Sequence, residues 1–200
     1  AQGYTITAQE TNGTCLDVVY PWDILSLNDA ILHRMPASLG GSVESGASIK
    51  GLVSVGEDTV IRSNSYIVGP VVIGRNCDIG PNVSILPATS IGDNVVISSF
   101  TEIKNSVVGD DVSIGPSSII QDSVIDEGCA IMGHFTACSD QAEVRINGEY
   151  HLVTVGAMLG VGCKLGSRVI AQPGAIIGNY SQIQAMKMIN GKLPDRSSMF

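Results

Sequence analysis

Every sixth residue from Val43 to Ile103 is aliphatic: Val43, Ile49, Val55, Ile61, Ile67, Ile73, Ile79, Ile85, Ile91, Ile97 and Ile103. A fixed period is the mark of a repeat architecture. Six matches neither the 3.6 residues of a helical turn nor the two-residue alternation of a strand. It fits a chain that makes a short strand, turns a corner and makes another. Gly56, Gly74, Gly80 and Gly92 each follow a ladder residue, and Asp58, Asn64, Asn76, Asn82 and Asn94 stand three places after one. Asn and Asp tolerate the left-handed backbone a corner requires, and Gly adopts it freely. Three such hexads close a triangular coil of about 18 residues, and stacked coils pair strand on strand about 4.8 Å apart. The fold expected is an all-β parallel β-helix of about six coils.

Composition agrees. The 200 residues are 44% hydrophobic but only 4% aromatic, as a stack that fills each layer with like aliphatics allows. Net charge is −8 with no basic stripe, which argues against nucleic acid and anionic membranes as partners. No apolar run approaches the roughly 18 residues of a membrane span. The five cysteines show no CxxC and no metal-ligand spacing, and their odd number suits a reducing cytoplasm. Cys77, Cys129 and Cys163 stand two places before ladder residues, so they read as small interior filler.

Taken in order, residues 1–20 read as one or two short strands with a turn at Asn12-Gly13. Pro21 opens a helix whose apolar face is Ile24, Leu27 and Ile31, running to about His33, and Pro36 ends it. Residues 1–35 are too short for a domain and read as the end of one, so the chain is expected to be a piece of a longer protein. From 36 to 179 the ladder rules. It slips by one residue at Val108 and Ile125, and Asp110, Asp111, Asp122, Asp126 and Glu127 form a solvated acidic face in its corners. The period stops at Gly133 and resumes after Gly156 with Leu159, Leu165, Ala171 and Ile177. Between them Glu143–His151 is a hairpin with an Asn147-Gly148 turn. An excursion of this kind is where a solenoid carries function. Residues 180–200, with a helical stretch over 181–188, are expected to cap the last coil.

Residues 16–32, LDVVYPWDILSLNDAIL, resemble the close of sugar-1-phosphate nucleotidylyltransferase domains. The ladder resembles the left-handed β-helix of hexapeptide-repeat acyltransferases, and the handedness comes from that resemblance. The order of the two, with IGPNVSILPATSIGDNV (79–95) and FTEIKNSVV (100–108), resembles the bifunctional uridylyltransferase/glucosamine-1-phosphate acetyltransferases, particularly their archaeal branch. The resemblance implies that Asp17 is a ligand for Mg²⁺, which would neutralise phosphate charge during nucleotidyl transfer in the parent enzyme. The usual glycine after the Asp-Val pair is here Val19. It also implies a homotrimer, a nucleoside triphosphate and a sugar-1-phosphate as the parent's substrates, and acetyl-CoA held by small residues of the last coils, here Ala157 and Ser167.

The acetyl-transfer site has two registers. Aligned through FTEIKNSVV, the family's catalytic His, its Tyr and its Asn fall on Pro116, Ile119 and Cys138, which leaves the site degenerate and the domain serving assembly or regulation. Aligned on Gly133-His134-Phe135-Thr136, His134 matches the catalytic base, and the domain is an active acyltransferase. A purely structural module is the third reading. Tyr150 and His151, on the hairpin, are expected to contact a neighbouring subunit.

Overall fold

The computed structural model describes residues 17–200; the strands and turn expected within residues 1–16 lie outside the described residues. The chain is a left-handed parallel β-helix of triangular section. Nine strands stack on the first face, from Ser38–Leu39 to Lys192–Leu193, and nine on the second, from Ser42–Val43 to Ser198–Met199. Eight stack on the third, from Ser48–Lys50 to Met188–Ile189. Pairing is parallel and in register: Ile61, Ile79, Ile97, Ile114, Ile131, Leu165 and Ile183 form one unbroken column.

The hexad rule is what builds this interior. Ladder residues from Val55 onward lie inside, whereas Val43, in the first coil, is exposed because no coil lies beneath it. Fully burying each such side chain contributes roughly 1.5–3 kcal/mol. Asp58, Asn64, Asn76, Asn82 and Asn94 all adopt positive φ, between 53° and 61°. Their side chains also tie coil to coil: Asn76 Nδ2 donates to Asn94 Oδ1 at 2.9 Å, and Asn94 Nδ2 to Asp111 Oδ1 at 3.0 Å. At Gly74 the coils approach so closely that a Cβ would lie 2.5 Å from the Gly92 carbonyl oxygen.

Four expectations are corrected. The stack has nine coils rather than about six: eight first-face strands already lie between Ser38 and Ile177, and residues 180–200 continue the stack. The strands Gln182–Ile183, Met188–Ile189, Lys192–Leu193 and Ser198–Met199 replace the expected helix over 181–188. Ile183 and Ile189 keep the six-residue step beyond Ile177, and burial inside the coil outweighs the helical reading of this stretch. The excursion begins later than Gly133: Ala137, six residues after Ile131, is fully buried and pairs with Ile120 on the third face. The arm itself is the antiparallel pair Asp140–Ile146 and Glu149–Val155, turning at Asn147 (φ 52°) and Gly148 (φ 92°). These are the two left-handed residues that a two-residue hairpin turn of this twist demands.

The helix, Asp23–Leu32, buries Leu25 and Leu32 rather than Ile24, Leu27 and Ile31; Ile31 faces solvent. The reason is what lies beneath. The helix rides on the outer surface of the first face, where Leu25 packs with Met158 and Val155. Between its two buried leucines Asn28 hooks the coil, donating to the Ala88 carbonyl at 2.9 Å and accepting from Ser90 Oγ at 2.5 Å. At its start the Asp23 carboxylate accepts the N–H groups of Val19 and Tyr20.

Candidate functional site

The corner between the second and third faces carries one left-handed residue per coil: Asn64, Asn82, Phe100, Ser117, His134, Arg168 and Met186. The hexad period sets this column, since each stands three places after a second-face ladder residue. His134 is therefore first a corner residue. Its N–H donates to the Pro116 carbonyl at 2.7 Å, one coil below, and its imidazole is exposed. Ser167 stands in the coil above, half-buried. Arg168 N–H donates to the Gly133 carbonyl at 3.0 Å, and the Ser167 carbonyl accepts from Met186 at 2.9 Å. The fold thus brings His134 and Ser167 to one corner in adjacent coils, although 33 positions apart in sequence because the arm intervenes.

A cleft of about 350 Å³ on the outer surface of the second face runs up to this corner. Met132, Lys164, Gly166, Gln182, Gln184 and Phe200 line it. Sequence reasoning missed these residues. The signal was present in the alternation, since Lys164 and Gly166 flank the inward Leu165, and Gln182 and Gln184 flank the inward Ile183.

The other site residues are not brought here. Ala157 is fully buried on the first face and its N–H donates to Ser123 Oγ at 2.9 Å. Its side chain is turned into the core, away from the corner that joins His134 to Ser167. Asp17 is exposed at the start of the described chain. Among the described residues no group of three or more His, Cys, Asp or Glu side chains is arranged to hold a metal, so Asp17 with its described neighbours does not make up a magnesium site. Pro116, Ile119 and Cys138 are all exposed, on the corner and third face of the fifth and sixth coils.

His151 makes ring contacts within its own chain. Its ring lies 4.4 Å from Tyr20 and 6.0 Å from Trp22, so the arm packs on the chain's own connecting segment. Tyr150, on the opposite surface of the arm, is exposed, with the Arg145 guanidinium 5.4 Å over its ring. Cys77, Cys129 and Cys163 are interior, and their thiols donate to the carbonyls of Gly92, Gly160 and Gly178 at 3.1–3.2 Å. Burial pushes the Cys77 thiol above the usual range.

The family model for the GMPPB C-terminal domain matches residues 67–151. A bifunctional sugar-1-phosphate nucleotidylyltransferase/acetyltransferase of Sulfurisphaera tokodaii is 31% identical over 95% of this chain and 50% of its own length. A bifunctional protein GlmU of Methanococcus maripaludis is 31% identical over 96% of this chain and 48% of its own. A solved structure of UDP-N-acetylglucosamine acyltransferase from Campylobacter jejuni covers 81% of this chain and 66% of its own, at 15% identity and a TM-score of 0.45. The chain spans about half the length of the curated relatives it matches. Among the described residues no helix is long and apolar enough to cross a membrane.

Proposed function

We propose, from the premise that this chain is homologous over nearly its whole length to the C-terminal half of the archaeal bifunctional sugar-1-phosphate nucleotidylyltransferase/acetyltransferases, that its acetyl-transfer site is degenerate and that it serves assembly. The observation carrying this reading is the chemistry of three surface positions. Pro116, Ile119 and Cys138 stand where a site would face solvent, and they offer no base, no phenol and no amide. Pro116 has no proton to exchange at all.

Assembly suits what that surface does offer. Phe100, Ile119, Met132, Ile170, Met186 and Met188 are exposed apolar residues on the same corner and third face, over five successive coils. Covering them against two further copies would make a homotrimer. In the intact parent, Asp17 would contribute one carboxylate to Mg²⁺, the substrates would be a nucleoside triphosphate and a sugar-1-phosphate, and the setting would be the cytoplasm.

A second reading rests on the corner that joins His134 to Ser167. There the exposed imidazole would take the proton that an acceptor amine loses as its nitrogen attacks an acyl group, and Ser167 would contact the carrier. Acetyl-CoA would supply that acyl group as a thioester. One experiment separates the readings. Acetyl-CoA turnover is followed with glucosamine-1-phosphate and with unphosphorylated amino sugars, using the native chain and His134→Ala, with light scattering on both. The degenerate reading expects a trimer and thiol release no faster than buffer in either protein. Turnover by the native chain that His134→Ala abolishes, with the trimer intact, would establish the second reading instead.

A further inference from the structure

The chain turns its last corner between the third and first faces at Asn190-Gly191, which joins the strand Met188–Ile189 to the strand Lys192–Leu193. Both turn residues are exposed, and a Cβ built on Gly191, whose φ is 72°, would meet nothing within 4 Å. We infer that Asn190 is a site of spontaneous deamidation through a succinimide, and that the change loosens the last coil from the arm.

The reaction needs an asparagine carboxamide free to swing and a following peptide nitrogen free to meet it. The Gly191 nitrogen attacks the Asn190 Cγ carbon and closes a five-membered imide. The proton of that nitrogen leaves with the side-chain amide as ammonia. Water then opens the imide at either carbonyl, giving aspartate or isoaspartate. Elsewhere the fold withholds one requirement or the other. Asn28, Asn76, Asn94, Asn105 and Asn179 commit their carboxamides to hydrogen bonds. Asn64 and Asn82 precede the buried Ser65 and Val83, whose N–H groups donate to the Arg62 carbonyl and the Ser65 hydroxyl, both at 3.4 Å. The Gly191 N–H has no acceptor among the described residues, and glycine has no side chain to obstruct the ring. Asn147-Gly148 shares the exposure, but Asn147 stands in left-handed backbone, φ 52°, clamped by the Ile146–Glu149 pair that ends the hairpin ladder. Asn190 is not left-handed, and the third and first faces end with the two strands that it joins.

What the corner touches sets the consequence. The Gly191 carbonyl accepts the Ile176 N–H at 3.0 Å, beside the register that stacks Lys192 on Ile176. A cavity of about 160 Å³ lies between this corner and the arm, lined by Asn190, Gly191 and Lys192 on one side and by Glu143 and Val144 on the other. Isoaspartate routes the main chain through the side-chain carbon. One extra backbone atom then enters a turn whose flanking strands are both held in register by the coil below. The last coil has a neighbour on one side only, so it resists such a change least.

The 200-residue protein is held in warm, mildly alkaline buffer and sampled over several weeks. Trypsin releases Asn190 within the peptide Met188–Lys192, apart from every other asparagine. That peptide should gain about 1 Da and become a substrate for an isoaspartyl methyltransferase. Its conversion should run at least about tenfold ahead of Asn82, whose following N–H must first give up a hydrogen bond, and ahead of Asn147 as well. In the aged protein, hydrogen exchange should quicken about fivefold or more in Lys192–Leu193 and in residues 143–145 of the arm, and stay unchanged in the central coils. Asn190→Gln keeps an amide but closes its larger ring far more slowly, and should age with neither change. An Asn190 that stays intact, or converts no faster than Asn82 or Asn147, overturns the proposal. So does full conversion that leaves exchange in Lys192–Leu193 as it was, or an Asn190→Gln protein whose exchange quickens equally with age.

Discussion

At the scale of single residues, this fold is decided by what each position of the hexad must do. The ladder position needs an aliphatic of fixed size, and the corner needs a left-handed backbone. Asn94 meets the second demand at φ 58° and adds hydrogen bonds to the coils on either side. Asn94→Val should therefore cost about 1–3 kcal/mol in urea unfolding, from a β-branched residue forced into left-handed backbone, while Asn94→Gly loses only the side-chain bonds. The interior thiols give a second test. Among the described cysteines Cys138 is exposed and Cys77, Cys129 and Cys163 are buried, so in a Cys15→Ser background a thiol reagent should label Cys138 in the native protein and the other three only on unfolding. Burial raises the Cys77 pKa in the folded state. The unfolded chain thus ionises this thiol first, and stability should fall as pH rises through the ordinary thiol range. The fall should be smaller in Cys77→Val.

At the scale of elements, the helix and the arm are both fastened to the outside of the first face, by different means. The arm packs Val144 over Gly174, where a Cβ would lie 2.7 Å from that valine, and its His151 meets Tyr20 and Trp22. The helix relies on Leu25 and on the Asn28 hook. Asn28→Ala would leave Ser90 Oγ and the Ala88 carbonyl without their partner, at about 1–3 kcal/mol. Because coils beyond their neighbours are energetically separate, hydrogen exchange should quicken within Asp23–Leu32 and leave the central coils unchanged. Here the limits of sequence reading are plain. The hairpin and its Asn147-Gly148 turn were legible because a two-residue turn of this hand requires those residue types. The buried side of the helix was not. Ile24, Leu27 and Ile31 make as good an apolar stripe as Leu25 and Leu32, and only the surface beneath chooses between them.

At the scale of the whole molecule, stability is a sum over stacked coils. Ile97 sits between two coils on each side, while Ile49, in the first coil, is only partly covered. Ile97→Ala should cost about 2–5 kcal/mol and Ile49→Ala clearly less, read from denaturant midpoints of the two variants. The eleven-residue ladder from Val43 to Ile103 determined the strands, the corners and the interior, because a period is a local rule that each coil obeys without reference to the rest. Corners occupied by Ala88, Phe100, His134 and Met186 broke the Asn/Asp/Gly pattern yet fold the same way, since neighbouring coils impose the backbone that the residue alone would avoid. Only the tertiary structure decided which side chains meet across coils. It set His134 beside Ser167, turned Ala157 inward and laid His151 on Trp22. Such meetings depend on where an insertion leaves the stack and how far the chain travels before it returns, and no local periodicity carries that information.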